Sequence, residues 1–242
     1  MTSHQLAYRQ MRALRPKKGL SIVELMIGIA IGLFILAGAS LVMTTQLNDN
    51  RRMLLETQMQ QDLRASAALI SRDIRRAAYW GKSYTLVGIK SAVSSASNPY
   101  QEMSPRNTDA SSTLTYDRSL DDDNERVVGR DNNVVSGSER VQFSLNDATH
   151  AIMMRLGNAD PQALTDANVL KVTNLSFSVS STQMPVPCGA VCPKGSGGND
   201  LVYCMRTVSY VIEAEAKHDA SVKRSIRDAI RLRNDILRET AC

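Results

Sequence analysis

From Leu20 to Met43 the chain runs for 24 residues with a single ionisable side chain, Glu24. As an α-helix that run would extend about 36 Å, more than the roughly 30 Å of a bilayer's hydrocarbon core. The flank before it holds Arg9, Arg12, Arg15, Lys17 and Lys18 with no acid. Short flanks of this kind stay on the cytoplasmic side and send the other end of the segment out. A secretory signal peptide has an apolar region of about 7 to 15 residues closed by a small-residue site. The run here is longer, and no such site follows it. The same flank explains the formal charge of +5, because without it 24 basic residues face 24 acids. The basic balance therefore belongs to the first 19 residues and does not point to nucleic acid.

Glu24 is the informative residue inside the run. A carboxylate in an apolar membrane helix costs on the order of 2.5 to 3.5 kcal/mol, so its position calls for a partner. Cleavage between Gly19 and Leu20 would create one: the new α-amino group of Leu20 would stand at the head of the same helix, four residues before Glu24. Between stacked chains, such an amine and carboxylate could neutralise each other inside an apolar bundle.

Lys17-Lys18-Gly19, the apolar Leu20, Ser21-Ile22-Val23, Glu24 and the long helix together resemble the leader signal of type IV prepilins and pseudopilins. The segment Asp73-Ile74-Arg75-Arg76-Ala77-Ala78-Tyr79-Trp80-Gly81 further resembles the PilW group of minor pilins. The resemblance implies cleavage after Gly19 by a prepilin peptidase, N-methylation of Leu20, and subunit assembly through Glu24. The implied partners are the prepilin peptidase, other minor pilins and the major pilin, the inner-membrane assembly platform and a tip adhesin. It also implies a single pass through the inner membrane, N-terminus cytoplasmic and C-terminal domain periplasmic, followed by a place in the pilus at the cell surface. Three other readings compete: an uncleaved signal anchor, a minor pseudopilin of type II secretion, and a membrane-anchored module binding DNA or a surface ligand. Unlike many major pilins, the chain has no Pro between Gly19 and Trp80; Gly32 and Gly38 could weaken the helix instead, each by about 1 kcal/mol relative to Ala. Gly28 and Gly32 form a G-x-x-x-G that lets another backbone approach.

The expected fold is α+β and type IV pilin-like. Residues 1–19 form a leader, 20–43 a transmembrane or filament-core helix, 44–79 its amphipathic continuation, and 80–242 a β-rich periplasmic domain of ordinary single-domain size. The continuation rests on Leu55, Met59, Leu63, Ala67, Ile70, Ile74 and Ala77, spaced by three and four. Arg72, Arg75 and Arg76 suit the negative end of the helix dipole before Gly81, a candidate cap. Asp62 and Asp73 interrupt that basic cluster and weaken a DNA-contact reading of it. Tyr79 and Trp80 are expected to anchor the helix on the sheet.

Alternation and β-branched residues predict strands at Tyr84–Ile89, Thr113–Tyr116, Arg140–Leu145, Ala151–Leu156, Val169–Val179, Leu201–Ala214 and Val222–Leu232. The last segment fits a helix equally, through Ile226, Ile230 and Leu237. Polar connections are expected at Ser91–Ser112, Asp117–Asn124 and Gly195–Asp200. Asp121, Asp123 and Glu125 have the alternate spacing of calcium ligands, but Arg126 replaces the turn glycine of an EF-hand loop and Asn132 its last ligand.

Cys188, Cys192, Cys204 and Cys242 all fall in the part expected outside, where disulfides persist. Four cysteines allow three pairings. A zinc site is the rival, though neither His150 nor His218 has a His or Cys neighbour at ligand spacing. The chain contains no phosphate loop, no H-E-x-x-H and no nucleophile elbow. These readings describe a structural and interaction protein without a cofactor, rather than an enzyme.

Overall fold

A computed structural model of the chain describes residues 19–83, 98–106, 109–120, 133–136, 138–186, 194, 198–238 and 242. The leader before Gly19, the strand expected at Tyr84–Ile89, the acidic triplet Asp121, Asp123 and Glu125, and Cys188 and Cys192 lie outside the described residues. One long helix, α1 (Ile22–Ile74), is followed by β1 (Met103–Ser104), β2 (Thr113–Asp117), β3 (Arg140–Asn146), β4 (Ala151–Leu156), β5 (Gln162–Ala163), β6 (Leu170–Pro185), β7 (Val202–Ala216), β8 (Asp219–Arg231) and β9 (Ile236–Arg238). By its contacts the chain divides into two compact units, Met1–Arg51 and Arg52–Cys242, and α1 passes through the boundary.

In the first unit the helix presents apolar side chains outward on every face: Ile22, Leu25, Ile29, Phe34, Leu36, Leu41 and Met43 are all more than half exposed. By length and composition this helix can cross a membrane. Ser21 provides its start, its carbonyl accepting the first helical bond from the Leu25 N–H at 3.1 Å.

The second unit is α+β, as expected, with its strands divided into two antiparallel sheets. The first has the order β1-β2-β3-β4-β5; in the second, β7 is central, with β6 on one side and β8 and β9 sharing the other. Within this unit α1 buries Met59, Leu63, Ala67, Ile70 and Ile74, the same stripe that the spacing of three and four predicts. These residues join one core with Phe143 of β3, Phe177 of β6 and Tyr210 of β7. Leu55 is half-buried, and Ala77 is buried just beyond the helix end.

The ambiguous segment is a strand, β8, paired with β7 from Thr207↔Arg231 to Glu215↔Lys223 and ending at Ala216↔Asp219. Val222, Ile226 and Ile230 lie four apart, and four is both a helical step and an even strand step. The intervening same-face residues, Arg224 and Asp228, are polar and so hide the strand alternation. Both have partners on α1: Arg224 Nη2 donates to Glu56 Oε2 at 2.7 Å, and Ser71 Oγ donates to Asp228 Oδ2 at 3.2 Å.

The helix stops at Ile74, earlier than Tyr79, and Gly81 is not its cap. Two tighter bonds close the last turn, Arg76 N–H to Asp73 C=O and Ala77 N–H to Ile74 C=O, at 2.9 and 3.0 Å. The left-handed residue that reverses the chain is Ala78, with φ of 57°. Its N–H donates to the Asp117 carbonyl at 2.9 Å, and its carbonyl accepts from Asn98 Nδ2 at 2.8 Å. Asn234 Nδ2, in the link between β8 and β9, donates to the Ala77 carbonyl at 2.9 Å. Three separate segments thus satisfy the helix end, and they fix an alanine where glycine is the usual residue. Trp80 is buried, with its indole N–H donating to Asn133 Oδ1 at 2.8 Å, whereas Tyr79 is 42% exposed and does not anchor the helix through its ring.

Candidate functional site

Gly19 and Leu20 precede the helix in irregular, exposed backbone. A methyl group added at Gly19 would meet nothing within 4 Å, so this chain's own packing does not require a glycine there. Leu20 is 75% exposed, and its backbone can be reached by an external active site. Glu24 stands in the first turn of α1, where the helix dipole favours a carboxylate. Among the described residues it has no hydrogen-bond or ion-pair partner.

Gly28, Gly32 and Gly38 are equally open, with nothing within 4 Å of an added Cβ. A face with glycines at 28 and 32 admits another backbone closely, and the surrounding apolar side chains need lipid or other helices to cover them. Exposed apolar surface, a carboxylate without a counter-charge among the described residues and an exposed Gly19–Leu20 junction therefore coincide over six residues.

At the other end of the helix, the chemistry is structural. Asp73 is buried, accepts from Tyr116 Oη at 2.5 Å and forms an ion pair with Arg118. Burial, and then the Asp73 charge, push the Tyr116 phenol well above its usual value, so it remains a donor at any ordinary pH. Next to this pair lies Glu139, also buried. It accepts from Tyr100 Oη at 3.1 Å, the Ser136 N–H at 2.5 Å and the Leu120 N–H at 3.3 Å. Asp73, read from sequence as an interruption of a basic cluster, thus points inward. Its place beside Ile70 and Ile74 on the buried stripe was the available signal.

With Asp73 turned away, a groove of about 940 Å³ collects Arg64, Arg72, Arg75 and Arg76 of the α1 region with Arg227 of β8 and Arg233. Tyr79 and Asp228 line it as well. Arg227 reaches Glu213 at 3.6 Å, while the other five arginines have no ion pair among the described residues. Only the three arginines of the helix end were visible as a cluster in the sequence.

Cys204 and Cys242 form a disulfide with Cα atoms 5.6 Å apart, joining β7 to the far end of the chain. Among the described residues no three His, Cys, Asp or Glu side chains gather in a way that could hold a metal ion.

Two comparisons with protein families bear on these observations. The prokaryotic N-terminal methylation motif matches residues 14–40, spanning the Gly19–Leu20 junction and Glu24. A second family model, described as prepilin peptidase-dependent protein B, matches residues 52–232, most of the chain. The chain belongs to the prepilin peptidase-dependent protein B family. Its fold is type IV pilin-like, with the long N-terminal helix followed by antiparallel sheets. The prepilin peptidase-dependent match begins where the second compact unit begins and ends before β9, so Cys242 and the β9 edge of the second sheet lie beyond it. No curated protein and no solved structure matches the chain.

Proposed function

We propose that this chain is a minor pilin of the type IV pilus, PilW-like, that primes assembly with other minor pilins and the major pilin and takes a place in the tip complex. The observation that supports this best is the coincidence of Gly19, Leu20 and Glu24 at the head of an exposed apolar helix in a prepilin peptidase-dependent chain. The basic flank holds the N-terminus in the cytoplasm, and the peptidase cuts between Gly19 and Leu20 on that side. The Leu20 amine is then methylated but stays a cation. When the helix leaves lipid for a bundle of pilin helices, that amine and the Glu24 carboxylate of a neighbour compensate each other. The domain from Arg52 onward remains periplasmic and presents the surface by which partner pilins and a tip adhesin are chosen.

The test is incorporation. Glu24→Ala should be inserted and cleaved normally but fail to cross-link to partner pilins, since removing one member of a buried pair costs about 3 to 5 kcal/mol. Glu24→Gln should behave like Ala if charge is what matters. Cross-linking of processed protein and pilus counts at matched expression read the result. Normal incorporation of both variants would remove Glu24 from the assembly step.

A second reading, contact with DNA or another surface polyanion, is supported by the arginine groove and the exposed ring of Tyr79 beside it. On this reading the processed chain in detergent binds single-stranded DNA with steep salt dependence, and Arg75→Gln with Arg233→Gln weakens it. Salt-insensitive or absent binding would leave the groove as a solvated helix end.

A further inference from the structure

The groove beside α1 has two unlike sides. Arg64, Ala68, Arg72 and Arg75 recur along α1 and its last turn at spacings of four, four and three, and line one side. Arg227 of β8 and Arg233, in the link to β9, line the other. These arginines, and Arg76 beside them, are exposed, so a ligand in the groove can reach their guanidinium groups. Between the two sides lie Ala67 and Tyr210, both buried, and the half-buried Ile226. All six lining cations are arginines, the residue whose planar fork pairs with the two oxygens of a carboxylate or phosphate. Asp228 also lines the groove but does not neutralise them. Its Oδ2 accepts from Ser71 Oγ at 3.2 Å and its Oδ1 from the Ala229 N–H at 2.9 Å, and among the described residues no arginine pairs with it.

Arg64 and Arg75 stand about 16 Å apart along the helix axis, the length of about five residues of extended peptide. Successive side chains of such a peptide point to opposite sides, so a run of acidic residues meets arginines on both sides of the groove. A single-stranded nucleic acid offers as many charges, but it draws much of its affinity from bases stacked on successive aromatic rings. Here Tyr79 is exposed, whereas the other lining ring, Tyr210, is buried with its hydroxyl 2.9 Å from Ser71 Oγ. Asp228 separates the two ligands further. A carboxylate has about four acceptor sites, so Asp228 can still accept a peptide N–H, whereas a phosphodiester backbone has no donor to give and is repelled. Asn234 adds a second acceptor, since its Nδ2 is taken by the Ala77 carbonyl and its Oδ1 has no partner among the described residues.

We infer that the groove docks an acidic, extended peptide segment of a partner protein: the arginines on its two sides hold successive carboxylates, and Asp228 receives a backbone N–H. This rests on the polyanion reading of the same groove and narrows it from nucleic acid to peptide. It does not depend on how the chain is processed at Gly19.

The test uses the full chain in neutral detergent, with binding read by fluorescence anisotropy of labelled, end-capped pentaglutamate, pentaglutamine and an oligothymidylate of matched charge. Pentaglutamate should bind and pentaglutamine should not. Oligothymidylate should bind about tenfold more weakly than pentaglutamate, the worth of one N–H bond to Asp228. Arg72→Gln with Arg227→Gln removes one guanidinium from each side and should weaken pentaglutamate binding at least about tenfold while leaving the unfolding temperature unchanged. Arg64→Gln with Arg233→Gln, an independent pair from the same two sides, should give the same loss. Oligothymidylate binding as tightly as pentaglutamate would overturn the proposal in favour of nucleic acid and leave the polyanion reading standing. Binding of neither would overturn both. Pentaglutamate binding undiminished in both double variants would put the contact outside the groove and overturn the proposal.

Discussion

Asp73 is buried and ties the end of α1 to the first sheet through Tyr116 and Arg118. Asp73→Ala leaves Arg118 buried without its counter-charge, and should lower stability by about 3 to 5 kcal/mol in chemical denaturation. Asp73→Leu combined with Arg118→Met removes both charges and should recover most of that loss. A double variant no more stable than Asp73→Ala would mean that the pair is not the source of the effect. Asp62 gives the opposite case, a carboxyl raised above its usual value by burial, although the Asp166 N–H it accepts from at 2.9 Å pulls it back. Between the unfolded value and this raised one, the native state holds a proton that the unfolded chain has lost. The group therefore detracts from stability at neutral pH, and the deficit closes as pH falls through the raised value toward about 4. Asp62→Asn keeps the acceptor and removes the charge. In urea unfolding it should be more stable than the parent at neutral pH, with the two converging in acid. A gap that widens in acid contradicts the assignment.

The elements show what a sequence reveals and what it conceals. The stripe from Met59 to Ile74 was legible because every member is apolar and spaced for one face; the strand Thr113–Asp117 was legible because it alternates. β8 was ambiguous, because Arg224 and Asp228 share the face of Val222, Ile226 and Ile230 and take their partners from Glu56 and Ser71, distant in the chain. β1, β5 and β9 are two or three residues long and carry no periodic signal of their own. The helix end was misplaced at Tyr79, with Gly81 as its cap, because glycine is the usual left-handed residue, whereas here tertiary hydrogen bonds hold Ala78 in that conformation. Ala78→Gly should therefore stabilise the domain by up to about 1 kcal/mol, read as a shift in denaturation midpoint; destabilisation would show that the Ala78 methyl packs more favourably than its backbone is strained. The Cys204–Cys242 bridge, with a separation of 38 residues, restricts the unfolded chain, and its selective reduction should cost about 4 kcal/mol. An unchanged midpoint after reduction would limit the bridge to a local role at the β9 edge. That these two cysteines pair with each other was beyond the sequence, which allows three pairings.

At the scale of the whole molecule, two units with opposite surface character share one helix: an apolar segment that needs covering, and a domain with its own core from Met59 onward. The methylation motif around Gly19 was legible because its residues are contiguous. The buried ions at Asp73 and Glu139 were not, since each takes its meaning from strands far away in the chain. The central proposal is that the chain is made as a precursor and matured at Gly19, and membership of the prepilin peptidase-dependent family and the methylation motif support it. The most direct measurement is the intact mass of the chain recovered from membranes of cells with and without an active prepilin peptidase. With the peptidase, the parent should lack residues 1–19 and carry one added methyl on Leu20, while Gly19→Val, whose side chain obstructs an extended backbone at the cut, should keep its full length. Without the peptidase both should be full length. A parent chain that stays intact in cells whose peptidase processes another substrate would contradict the claim.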